Sequence, residues 1–132
     1  MMSVENKTAF YHLYPLGLCG APGQNDLLSE PVPRLEKVYS WLDHIQWLGM
    51  DAVILGPVFE SLTHGYDTVD YRMVDRRLGT EETLERLVEE MHRRGIHVVL
   101  DAVFNHVSRR FHAFEDVQRS LESSPYWNWF SG

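Results

Sequence analysis

With 132 residues, 44% of them hydrophobic, the chain is long enough for one domain with a buried core and too apolar to stay disordered. Twelve basic against nineteen acidic residues leave a net charge of −7. No run of lysines or arginines supplies the footprint that nucleic acid or an anionic membrane surface needs, so neutral partners fit better.

The opening Met1–Lys7 lacks the apolar core of a signal peptide, and no apolar run reaches the length of a membrane span. Cys19 stands alone, which excludes an internal disulfide and favours a reducing, cytoplasmic setting. Ala9 to Tyr14 is aromatic and β-prone and predicts a first strand, closed by Pro15 and Gly17. Residues 19–25 hold two glycines and a proline among small side chains and read as a loop. From Pro33 onward, Leu35, Val38, Trp41, Leu42, Ile45 and Leu48 recur at spacings of three and four, a helix that Gly49 ends. Asp51 to Leu55 runs apolar without alternation, as in a strand buried on both faces, until Gly56-Pro57 stops it.

Residues 58–79 show no sustained period. Thr80 then caps a second helix with Glu81 and Glu82 in its first turn, and Leu84, Leu87, Val88 and Met91 line one side. Arg93 and Arg94 fall in the last turn and Gly95 supplies the left-handed stop. Ile96 to Val103 is the third predicted strand, and the alternation of strands and helices requires parallel pairing through right-handed crossovers. Phe111, Phe114, Val117 and Leu121 suggest a short helix before the aromatic run Tyr126 to Phe130.

The third strand ends in Asp101, Asn105 and His106, and chemistry in parallel α/β folds gathers at the carboxyl ends of strands. Alone, that triplet is equally at home capping turns. Ahead of it stand His64-Gly-Tyr66-Asp67, the Asp70-Tyr71 pair, Val74-Asp75 and Leu78-Gly79-Thr80. Together with Phe10-Tyr-His-Leu-Tyr-Pro15, these blocks resemble the alpha-amylase superfamily of glycoside hydrolases, and Phe111 to Phe130 is similar to its cyclomaltodextrinase and neopullulanase branch.

The resemblance covers nearly the whole chain and implies an α/β fold: residues 1–132 as the N-terminal portion of a TIM (β/α)8 barrel, truncated after three parallel strands and two or three helices. It implies that Tyr66 stacks on or flanks the sugar ring beside the scissile bond, that His106 hydrogen-bonds its primary hydroxyl, and that Asp101 orients an arginine from a later strand. Asn105 would fall where some members bind calcium, but one asparagine supplies one of the six to eight oxygens calcium wants, and no metal or other cofactor is assigned. Asp67, Asp70 and Asp75 are read as turn caps in preference to a metal cluster. His92 and His97 are read as solvated or packed side chains. Trp127, Trp129 and Phe130 are read first as packing residues, with a sugar platform as the alternative.

In the resembled family the catalytic carboxylates come from later strands, so none is expected among these residues, and the fragment alone is expected to be inactive. The expected parent activity is retaining hydrolysis of α-glucan oligosaccharides. Transfer of the glycosyl group by the same chemistry, or a non-catalytic carbohydrate-binding piece, are the alternatives. Unpaired outer strands and an uncovered apolar face predict self-association of the isolated chain.

Overall fold

A computed structural model describes residues 8–130; the Met1–Lys7 segment, read above for a signal peptide, lies outside the described residues. Strand β1 (Phe10–Leu13), β2 (Ala52–Leu55) and a third central strand (His97–Leu100) form a parallel sheet with β2 in the middle. Their registers are even: Tyr11 lies beside Val53 and Val53 beside Val98.

Side chains alternate across such a sheet. Tyr11, Leu13, Val53, Leu55 and Val98 belong to the core or pack on it. On the opposite row the outer-strand residues Phe10, His12 and Val99 are exposed, Phe10 at 52%, while Ala52 on the middle strand is buried and Ile54 half-buried. The core is completed by a 3₁₀ segment (Arg34–Val38) running into a helix (Tyr39–Trp47), and by a second helix (Glu81–Arg93). Leu35, Val38, Leu42, Ile45, Leu87 and Met91 are wholly or almost wholly buried there.

In chain order the helices are α1 (Pro15–Leu18), α2 (Tyr39–Trp47), α3 (Glu81–Arg93) and α4 (His112–Ser120), and the third parallel strand is β5. Helix α3 follows its sequence signals closely. Thr80 and Thr83 form a reciprocal capping box, and Gly95 turns left-handed at φ +76°. Helix α2 starts later than its apolar period, because Arg34–Val38 winds as 3₁₀. Pro15, expected only to close the first strand, instead opens the single turn of α1.

Two further findings depart from the sequence reading. Residues 58–79, read as aperiodic, hold an antiparallel hairpin of β3 (Phe59–Ser61) and β4 (Thr68–Val74). Its period is hidden by irregular register and by polar residues on the buried side: Glu60 is 2% exposed and Asp75 fully buried. The strand predicted over Ile96 to Val103 is shorter, ending at Leu100. The last ladder bond runs from the Asp101 N–H to the Leu55 carbonyl at 2.9 Å. Beyond it β2 has become Gly56-Pro57, whose glycine N–H is already given to Leu13 and whose proline has none. With no neighbour to pair, 101–103 leaves the sheet as a loop. Among the described residues no helix is long and apolar enough to cross a membrane.

Candidate functional site

The carboxyl ends of β1, β2 and β5 are capped by two loops, the turn between β3 and β4 and the stretch 101–111. Tyr66 sits in the first. Gly65 precedes it at φ +98°, where a Cβ would come within 2.7 Å of Pro57 Cβ, so only glycine lets the turn lie down on the β2 end. Asp67 then ties the turn to itself, accepting from the Thr63 hydroxyl at 2.6 Å and the Gly65 N–H at 3.3 Å. Burial works against its charge, but the hydrogen bonds it accepts, those of Thr63 first, together with nearby His64 hold the carboxyl below its ordinary range. The Tyr14 hydroxyl donates to the His64 carbonyl at 2.8 Å, fastening the same turn to the end of β1.

So seated, Tyr66 donates its phenol proton to Asp101 Oδ2 at 3.1 Å. The resemblance implied an arginine as the partner of Asp101; within these residues the tyrosine fills that place. The Tyr66 phenol is pushed above the usual tyrosine range, by loss of solvent first and by the Asp101 carboxylate second. Tyr66 stays 38% exposed beside that carboxylate, its ring tilted against His64 with centroids 6.1 Å apart.

His106 is exposed and does not join that pair directly. It faces an adjoining cavity of 360 Å³ lined by Tyr71, Phe104, Asn105, Phe111 and Trp129 among others. Tyr71 holds this loop in place: its hydroxyl donates to the Val103 carbonyl and, at 3.4 Å, to that of His106. The Ser108 N–H adds a bond to the Thr68 carbonyl at 2.9 Å, so β4 carries both loops. Tyr71 had no role assigned from sequence, although the Asp70-Tyr71 pair marked its position.

The surroundings of Asn105 are largely aromatic and aliphatic, which does not fit the oxygen cage calcium needs. Among the described residues no three histidine, cysteine or acidic side chains come together as a metal site. Asp67, Asp70 and Asp75 go to separate partners. Asp70 and Asp75 accept the backbone N–H two residues on, from Arg72 and Arg77, as turn caps do, whereas Asp67 accepts that of Gly65, two residues back. Asp75 is more than a cap, being fully buried in an ion pair with Arg77. His92 and His97 are exposed. Packing holds for Phe130, whose ring meets Phe114 edge-on at 5.2 Å. Trp129 meets Tyr126 edge-on with ring centroids 4.8 Å apart, lines the His106 cavity and is 63% exposed, so packing within these residues is partial.

Comparison with known proteins agrees with this geometry. Residues 29–132 match the family model described as alpha amylase, catalytic domain. A cyclomaltodextrinase of Bacillus sp. is 39% identical over 135 residues, covering 92% of this chain and 24% of that protein. An intracellular maltogenic amylase of Bacillus subtilis is 36% identical over 110 residues, covering 83% of this chain and 18% of the relative. The cyclic alpha-maltosyl-(1→6)-maltose hydrolase of Arthrobacter globiformis superimposes with a TM-score of 0.77 at 40% identity, covering 94% of this chain and 31% of the hydrolase. The chain thus spans about a quarter of the length of such relatives. Its strand order, its loop contacts and the matched family model agree, and the chain belongs to the alpha-amylase family, as part of the catalytic domain.

Proposed function

We propose that these residues form one wall of the sugar-binding cleft of an α-glucan hydrolase. The observation that carries this reading is the Tyr66–Asp101 contact at the carboxyl ends of three parallel strands, with the tyrosine left partly exposed. An aromatic face complements the C–H surface of a glucose ring, and a carboxylate that fixes the phenol keeps the ring from turning away. His106, exposed on the next loop, donates to or accepts from a sugar hydroxyl. Asp101 orients Tyr66 here and, by the resemblance, an arginine of the complete site.

Retaining hydrolysis uses two carboxyl groups about 5 to 5.5 Å apart. The resemblance places them on strands that follow β5 in the family, so residues 1–132 bind and orient sugar and do not cleave it. The substrate class is maltooligosaccharide or cyclomaltodextrin, supported by the names of the relatives. The cytoplasm suits a protein with the reduced thiol of Cys19 and a relative named intracellular. The exposed residues Phe10, His12 and Val99, together with the open edges of β1 and β5, support self-association of the isolated chain.

Reading the gene beyond residue 132 tests the proposal. An aspartate preceded two residues earlier by an arginine, followed later by a glutamate at a strand end, is the expected outcome. Their absence from a complete reading frame refutes hydrolysis.

A further inference from the structure

Arg77 is the hub of a buried polar network that reaches the turn bearing Tyr66. Its side chain is only 5% exposed. Nε and Nη2 grip the two oxygens of Asp75 at 2.9 and 2.7 Å, and Nη2 also donates to Ser61 Oγ at 2.9 Å. The remaining donor, Nη1, reaches two main-chain carbonyls, Pro22 at 2.9 Å and Thr63 at 2.7 Å. Asp75 is satisfied in return, taking the Ser61 N–H at 3.2 Å and its hydroxyl at 3.0 Å. A charge pair buried this deeply is tolerable only when nearly every donor and acceptor is used. An ion pair alone would not need contacts to residues 22 and 63. Those contacts use the planar fork that distinguishes arginine from lysine.

Thr63 is where the turn bearing Tyr66 begins. Its carbonyl is held by Arg77, its hydroxyl by Asp67, and Tyr66 lies between these anchors with its phenol on Asp101. From these contacts we infer that Arg77 is a positioning residue, fixing the start of the turn so that Tyr66 faces Asp101. Its importance for α-glucan binding rests on the function proposed above; the positioning itself does not. A guanidinium that merely stabilised the fold would leave Tyr66 in place as long as the chain remained folded.

The test is NMR of the 132-residue chain carrying 13Cζ-tyrosine, with the Tyr66 resonance assigned by its loss in Tyr66→Phe. Asp101→Asn displaces that resonance by replacing the carboxylate acceptor with an amide. Arg77→Lys is expected to displace it likewise, with an unchanged far-UV spectrum and no further displacement when Asp101→Asn is added. A folded Arg77→Lys chain in which Asp101→Asn still moves Tyr66 as in the parent overturns the inference. Should Arg77→Lys not fold, Arg77→Gln decides, because its shorter amide stays beside Asp75 and gives up the bonds to the Pro22 and Thr63 carbonyls. Displacement of Tyr66 in that variant supports the chain of contacts, and an unmoved resonance overturns it. A protein of the relatives' full length that ignores maltotriose would remove the sugar reading and leave the positioning standing.

Discussion

Glu90 shows how single charges set the chain's response to acid. Arg93 and then Arg94 hold its carboxyl down, from 4.5 to about 2. A depressed folded value means that the pair stabilises the native state above the ordinary carboxylate range, and that this contribution is lost as pH falls from 4.5 to about 2. Thermal melts across that window should therefore fall less steeply for Glu90→Gln than for the parent. Tyr66 works at the other extreme. Its phenol is raised, so the neutral form is favoured by folding, and that contribution disappears only as the pH climbs through the folded value. At this scale the sequence was partly legible. Tyr66, Asp101 and His106 could be named through resemblance, because their types and spacing survive in the linear chain. Arg77 could not, since an arginine beside Arg76 reads as solvated until the fold brings Ser61, Thr63 and Pro22 around it.

Among the elements, α3 was readable from end to end because each signal is local: a capping threonine, a regular apolar stripe and a glycine stop. Thr80→Ala removes the half of the reciprocal cap in which the Thr80 hydroxyl accepts from the Thr83 N–H, and should cost about 1 kcal/mol in denaturant unfolding. Met91→Ala, at a wholly buried position on the same helix, should cost about 2 to 5 kcal/mol through lost contacts and a residual cavity. The β3–β4 hairpin was not readable. Its buried side carries Glu60 and Ser61, which are satisfied by Asn25, Arg76 and Asp75 across 14 to 35 residues of chain, separations no local pattern encodes. Polar residues inside and half-exposed apolar ones outside erase the alternation that marks a strand. Gly65→Ala probes this hairpin directly. The Cβ would collide with Pro57, and the positive φ is strained for alanine, so the turn should shift and weaken the Tyr66–Asp101 contact.

The three-stranded sheet gives the whole molecule one buried face and one partly open one. Helices α2 and α3 cover the row through Val53 and Leu55, whereas Phe10 and Val99 remain 52% and 44% exposed. In a closed barrel that second row would meet the side chains of the remaining strands. Sedimentation of the isolated chain should show concentration-dependent association, and a monodisperse monomer that unfolds cooperatively would contradict it. Cys19 offers a probe of the core. Burial pushes its thiol up to about 11, so thiol reagents should react at neutral pH only as the chain unfolds. Fold class and the parallel pairing of the three strands were visible in sequence because strands and helices alternate. The position where β5 ends was not, because it depends on what β2 does at Gly56-Pro57.

Hydrolysis of maltotriose by the protein at its relatives' full length, parent against His106→Ala, bears most directly on the sugar-wall reading. Turnover by the parent is predicted, with kcat/KM reduced on the order of tenfold or more in the variant, as loss of a hydrogen bond to a sugar hydroxyl requires. A parent enzyme that leaves α-glucans untouched, or a variant as active as the parent, would contradict it.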